Sequence, residues 1–175
     1  MVSSVLDTSR PEAKAGVTTS TQSHEGGMEL RDTATRKADT LAALEKHHDV
    51  WLATADVAGR PHLVAVSGWW DGTDLVVATR ASTKTARNLA MNPSAKVAHG
   101  APSDAILLDV EMLDNIAVED SADLCQGFAA AVGWDPRDEG PGWMFFRLRP
   151  SRIQAYQGYG EIEGRDVMVR SRWVV

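Results

Sequence analysis

The chain has a single cysteine, Cys125, in 175 residues, which excludes an internal disulfide framework and fits a reducing compartment. It also lacks an excess of positive charge. Its 18 Lys and Arg stand against 24 Asp and Glu, a net −6, so no basic stripe for a nucleic-acid backbone is expected. No run approaches the roughly 20 apolar residues that span a bilayer. The N-terminus has no basic-then-apolar secretion signal, and the expected location is cytoplasmic. Common fingerprints of chemistry are missing as well: there is no P-loop, no Gly-x-Ser-x-Gly elbow and no zinc-ligand spacing. Gly158, Gly160 and Gly164 mimic part of a dinucleotide fingerprint, but no helix pattern follows and no βαβ unit surrounds them. His47 and His48 are adjacent, and neighbours on a helix diverge by about 100°, so no metal is assigned to them. Asp109 and Glu111 share one face of a strand without a substrate pocket in sight, and no catalytic acid, base or nucleophile is assigned.

What is present is a globular composition, 43% hydrophobic, in a chain long enough for one domain with a real core. Residues 1–33 are rich in Ser and Thr and poor in large apolar side chains, and read as a disordered leader. Met28, near its end, is an alternative start. Residues 34–175 form the folded domain. Ala38, Leu41, Ala42 and Leu44 mark a modestly amphipathic helix over 35–48. Apolar runs at 50–55, 62–70 and 75–79 follow, separated by turn signals at Gly59 and at Asp71-Gly72. Three strands in succession with short turns are antiparallel. A helix over 83–91 stops at Asn92-Pro93, because the residue before proline avoids the α region.

Strands at 95–99 and 105–113 come next, then a helix at 121–132 with Leu124, Phe128 and Val132 on one face and Cys125 as a small core thiol. A loop spans 133–142. Two last strands, 143–149 and 152–157, are separated by Pro150. The pattern is mainly β with short helices, an α+β chain folded as a small barrel with helices at its ends. Of the six tryptophans, Trp69 and Trp70 are adjacent on a strand and must point to opposite faces. Core packing and a dimer interface account for them better than ring stacking on a ligand.

The informative segment is residues 79–89. A strand ends at Thr79 and a helix starts just after Ser82, which reads as its N-cap. First-turn N–H groups have no helical partners, and with the helix dipole they make an anion site. Arg80 and Lys84 add charge, and the hydroxyls of Ser82, Thr83 and Thr85 add donors. A capped, solvated helix start explains the same residues without a ligand.

Thr79, Ser82, Lys84, Leu89, Asn92 and Pro93 stand in an order that resembles the pyridoxamine 5'-phosphate oxidase-like superfamily, the FMN-binding split barrels. The wording of residues 84–89 is similar to the actinobacterial flavin/deazaflavin oxidoreductase branch. Residues 56–62 resemble that superfamily's first hairpin, and residues 148–158 its last long strand. The resemblance implies a split β-barrel, a homodimer that completes the site, and FMN or the deazaflavin coenzyme F420 as cofactor. It implies a phosphate at Ser82, Lys84 and Thr85, a ring along Val64, Ala65, Val66 and Ser67 beside Thr79, a cofactor contact at Tyr156, where the oxidase has a tryptophan, and weaker contacts at Asn88 and Arg87. The implied activity is hydride transfer to an unidentified small molecule. The alternative is a non-catalytic flavin- or haem-binding protein of the same fold. The oxidase's phosphate-binding arginines have no counterpart in residues 62–67, so vitamin B6 oxidation is not assigned.

Overall fold

The structure, a computed structural model, describes residues 30–175. Residues 1–29, nearly all of the expected leader, lie outside the described residues. The chain runs α1 (Thr33–Lys46), β1 (Asp49–Ala55), β2 (Pro61–Trp70), β3 (Leu75–Arg80), α2 (Lys84–Met91), β4 (Ser94–Ala101) and β5 (Asp104–Ala117). It continues through α3 (Ala122–Val132), β6 (Trp143–Gln157), β7 (Asp166–Val169) and β8 (Arg172–Trp173). Strands pair in the order β3-β2-β1-β4-β5-β6, and β6 returns to β3, closing a six-stranded antiparallel barrel. This is the expected split-barrel fold. β7 and β8 extend the sheet outward from β6.

Side-chain alternation sorts the core into two bodies. Leu52, Leu75, Val77, Val97, Leu108, Leu148 and Ile153 fill the barrel. Val76, Ala78, Phe145, Cys125 and Phe128 form a second cluster between the barrel wall and α3. The two adjacent tryptophans divide between them. Trp70 is buried in the barrel core and Trp69 packs in the α3 cluster. A Cβ on Gly127 of α3 would lie 2.3 Å from the Trp69 ring, so only glycine lets the helix come this close.

Four elements depart from the expectation. The buried face of α1 is Arg36, Thr40 and Leu44, not the alanines, and Ala38 and Ala42 are exposed. Burial of those polar residues is possible because each finds a partner. The Thr40 hydroxyl donates to the Arg36 carbonyl at 2.7 Å, and Arg36 reaches the Glu161 carbonyl. β6 runs unbroken through Pro150, which sits where the β5–β6 register shifts and Ser151 is the extra residue, so no ladder donor is lost. β5 runs on to Ala117 because its ladder with β6 continues to Ala117↔Met144, with Arg147 on Asp114 at 2.7 Å across the pair. The β7–β8 hairpin turns at Arg170 and Ser171, both with φ near +55° (52° and 58°), a turn without the usual glycine signal.

Arg31, at the end of the expected leader, ties the start of α1 to the far end of β6. Its guanidinium lies 2.7 Å from the buried Glu161 carboxylate, which also accepts from the Arg31 and Gln157 backbone N–H groups. The Arg31 hydrogen bonds hold the Glu161 carboxyl at about 2, against an ordinary 4.5. A carboxyl depressed on folding contributes stability that is complete above its unfolded value and is lost as pH falls towards the folded one. Glu161→Gln is therefore expected to cost roughly 3 kcal/mol at neutral pH, because it leaves Arg31 without its main partner. It should also flatten the loss of stability between pH 4.5 and 2. Urea denaturation across that range checks both.

Candidate functional site

β2 is bound along seven residue pairs to β1, from Asp49↔Ser67 to Ala55↔Pro61. On its other side it pairs with β3 only at Gly68, Trp69 and Trp70. Beyond Val77, β3 follows β6 instead, through Ala78↔Phe145, Thr79↔Met144 and Arg80↔Trp143. The two strands part there, and the parting is a cleft of about 540 Å³. Along its β2 wall, every second residue turns its N–H and C=O to an open side with no ladder partner. Val64 and Val66 lean towards the barrel interior opposite Leu52 and Val50, while Ala65 and Ser67 face outward.

α2 closes the lower end. Its N-cap is Thr83, one residue later than the expected Ser82. The Thr83 hydroxyl accepts from the Ala86 N–H at 3.1 Å and from the Thr79 hydroxyl at 3.3 Å. Among the described residues the Lys84 and Thr85 N–H groups make no hydrogen bond, and the Lys84 ammonium pairs with no carboxylate. Free N–H groups, the positive end of a helix and an uncommitted lysine converge on one spot, which suits an anion.

Seven of the expected residues line this cleft together: Val64, Ala65, Val66, Ser67, Thr79, Lys84 and Thr85. Three others lie elsewhere. Ser82 is exposed beside the helix start, and its carbonyl is taken by Arg87. Asn88 is buried and donates to the Thr54 hydroxyl at 3.0 Å, fixing α2 against β1. Tyr156, on β6, borders a separate hollow with Ser103, Tyr159 and Ile162. Arg80 also leaves the anion site. It donates to the Glu139 and Pro141 carbonyls and lies 5.2 Å over the Trp143 ring, pinning the 133–142 loop.

That loop supplies what the sequence did not indicate. Trp134 and Trp143 form the outer wall, their rings edge-on at 5.3 Å, and the Trp134 indole N–H donates to the Ser67 hydroxyl at 3.3 Å. The Trp143 indole N–H is buried without a partner. Half a barrel separates these tryptophans from residues 62–85 in sequence, and no spacing connects them. His62 lies at the rim, and among the described residues no carboxylate lines the cleft. Among the described residues no cluster of three or more metal-ligating side chains occurs. No described helix is long and apolar enough to cross a membrane.

A closed six-stranded antiparallel barrel, parted beside a capped helix start, defines a split-barrel protein. The family profile of pyridoxamine 5'-phosphate oxidase matches residues 37–130, and the chain belongs to that superfamily. No curated protein matches. Among solved structures, an F420 reductase is similar at TM-score 0.56 and 19% identity, over 64% of this chain and 93% of that one. HutZ, a haem storage protein from Vibrio cholerae, matches at 0.53 and 19%, over 70% and 96%. A haem-binding protein from Mycobacterium smegmatis matches at 0.54 and 25%, over 75% and 57%. These likenesses show the fold.

Trp69, two residues along β2 from the cleft-lining Ser67, packs against Gly127, which makes the seat of α3 testable. Gly127→Ala forces a methyl into the indole and is expected to cost about 1–3 kcal/mol. Thermal melts of the two proteins measure it, and an unchanged midpoint would mean the helix is free to shift.

Proposed function

We propose that the cleft binds a flavin-type cofactor, FMN or coenzyme F420, and that the protein is an oxidoreductase acting on an unidentified small molecule. The observation that carries this reading is the meeting of two features in one cleft. A flat slot between Val64–Ser67 and the Trp134–Trp143 wall ends on the unpartnered N–H groups of Lys84 and Thr85. A planar ring on a phosphorylated chain needs those two surfaces in one cleft. When bound, the cofactor supplies the hydride chemistry. The chain's part is to hold the phosphate at Lys84 and Thr85, to offer the open β2 edge to polar atoms of the ring, and to exclude water with Trp134 and Trp143.

The deazaflavin form of the reading has one further support. A second groove shares Lys84 with the cleft and is lined further by Asp56, Val57, Arg87, Met91 and the expected site residue Asn88, giving room for a ligand that continues beyond its phosphate, as F420 does and FMN does not. A non-catalytic carrier is the competing reading, since two proteins of this fold are named for haem storage or binding. Turnover with reduced F420 or FMN separates catalysis from storage.

Lys84→Ala removes a charge-assisted hydrogen bond to the phosphate and is expected to weaken cofactor binding about ten- to a hundredfold. Stability should barely move, because Lys84 is exposed. Lys96, ion-paired to Asp109 on the opposite wall, is the control. Titration of both variants with FMN and with F420 reads the effect, and wild-type affinity in Lys84→Ala would remove the phosphate site.

The same reading extends to a homodimer. Trp51 and Leu63 are 53% and 60% exposed on the barrel's outer face, with Ala53, Ala65 and Ala98 beside them in register. Such a patch favours burial, and Ala65 belongs to both patch and cleft. A second copy on this face would complete the cleft's mouth. Light scattering should give twice the 18.9 kDa chain mass, and Leu63→Lys should shift it towards the monomer.

A further inference from the structure

Thr85, in the first turn of α2, is only 3% exposed and lines the cleft. Its hydroxyl makes no hydrogen bond among the described residues. A buried polar side chain left unpaired costs free energy, and one that borders an open cleft points to what the cleft holds. The backbone N–H groups of Lys84 and Thr85 are unpaired at the same place. All of these groups can donate and Lys84 adds positive charge, so the partner that suits them is an acceptor carrying negative charge.

Strand register brings one more donor to that end of the cleft. His62 on β2 stands opposite Thr54 on β1, and opposed residues of an antiparallel pair share a face, with Cβ atoms about 5 Å apart. The Thr54 hydroxyl accepts from Asn88 of α2 at 3.0 Å, so α2 lies on that same face. Lys84 precedes Asn88 by one helical turn, about 6 Å. His62, Lys84 and Thr85 all line the cleft, and they do so at its α2 end. The His62 ring is half-buried and makes no hydrogen bond among the described residues. Other charged groups of the adjoining groove are committed: Arg87 donates to the Ser82 carbonyl, and Asp56 pairs with Arg60.

We infer that His62 is a further binding residue of this site, its ring N–H donating to the ligand's phosphate beside Lys84 and Thr85. The inference rests on the cofactor reading above and deepens it. It names a side chain by which the cleft tells a phosphorylated ligand from its phosphate-free counterpart. A phosphate oxygen accepts several donors at once, so β2 and α2 can hold it from two sides.

The test titrates the full chain with two matched pairs, FMN against riboflavin and F420 against its phosphate-free deazaflavin. Wild type should bind the phosphorylated member of at least one pair more tightly. His62→Phe keeps a ring and removes the donor. It should weaken that member about tenfold and leave the phosphate-free member unchanged. His62→Ala should do the same, with thermal melts confirming that both variants fold. A residue that only shaped the cleft would change both members of a pair equally, and that result would overturn the inference. Discrimination that survives in both His62 variants and is lost in Lys84→Ala would overturn it alone, leaving the phosphate site standing. No binding of any of these ligands by wild type would remove the cofactor reading as well.

Discussion

The whole arrangement depends on β3 having two partners and dividing itself between them. Its first three residues pair with the end of β2, while its full length pairs with β6. A six-stranded ring closes only because β6 takes β3, and the same bond pulls β3 away from residues 61–67 of β2. An open strand edge is a liability in most proteins, since it invites another strand. Here the edge borders a cleft, bounded by the start of α2 below and by Trp134 and Trp143 across the gap. The cleft is therefore a consequence of barrel closure rather than a hollow cut into a finished wall.

β6 is the hub of that closure, with β3, β5 and β7 all bound to it. Its inward residues Phe146, Leu148 and Ile153 fill the barrel, and its polar ones carry a row of ion pairs. Arg147 meets Asp114 on β5, Arg149 meets Asp74 at the β2–β3 turn, and Arg152 meets Asp166 on β7. Arg147–Asp114 and Arg152–Asp166 join partly exposed partners and add little stability, whereas Asp74 is buried beneath Arg149. Their effect is on choice of register: each arginine finds its carboxylate in one alignment only, and a one-residue slip would turn it towards the core. Arg31 and Glu161 likewise pair through a buried carboxylate, and that pair closes α1 onto the barrel.

Much of the fold was legible because local and tertiary demands agree. Apolar runs between turn signals located β1 to β4, the Asp71-Gly72 turn has the conformation its residues favour, and Asn92-Pro93 ends α2 as expected. The failures have a common cause. Ala38 and Ala42 look apolar, but alanine offers little area to bury, and Arg36 and Thr40 took the inner face once Glu161 and the helix backbone could satisfy them. Pro150 looked like a break because its tolerance comes from a bulge against β5, which no window of β6 contains. The turn at Arg170 and Ser171 carries no glycine, and its backbone is held by the strands on either side.

The same division runs through the candidate site. Residues 64–67 and 79–85 fall on two short segments, and their chemistry, a strand edge and a helix start with a lysine, is local. The sequence by itself determined those segments, the barrel class and the anion-seeking turn, because each rests on interactions within a few residues. Only the tertiary structure decided that Asn88 and Arg80 turn to other partners, that Thr83 and not Ser82 caps the helix, and that two tryptophans from the far side of α3 wall the cleft. Those outcomes are set by which strand β3 follows and by where α3 can lie on Trp69, and contacts between residues so distant in sequence are fixed by packing, not by spacing.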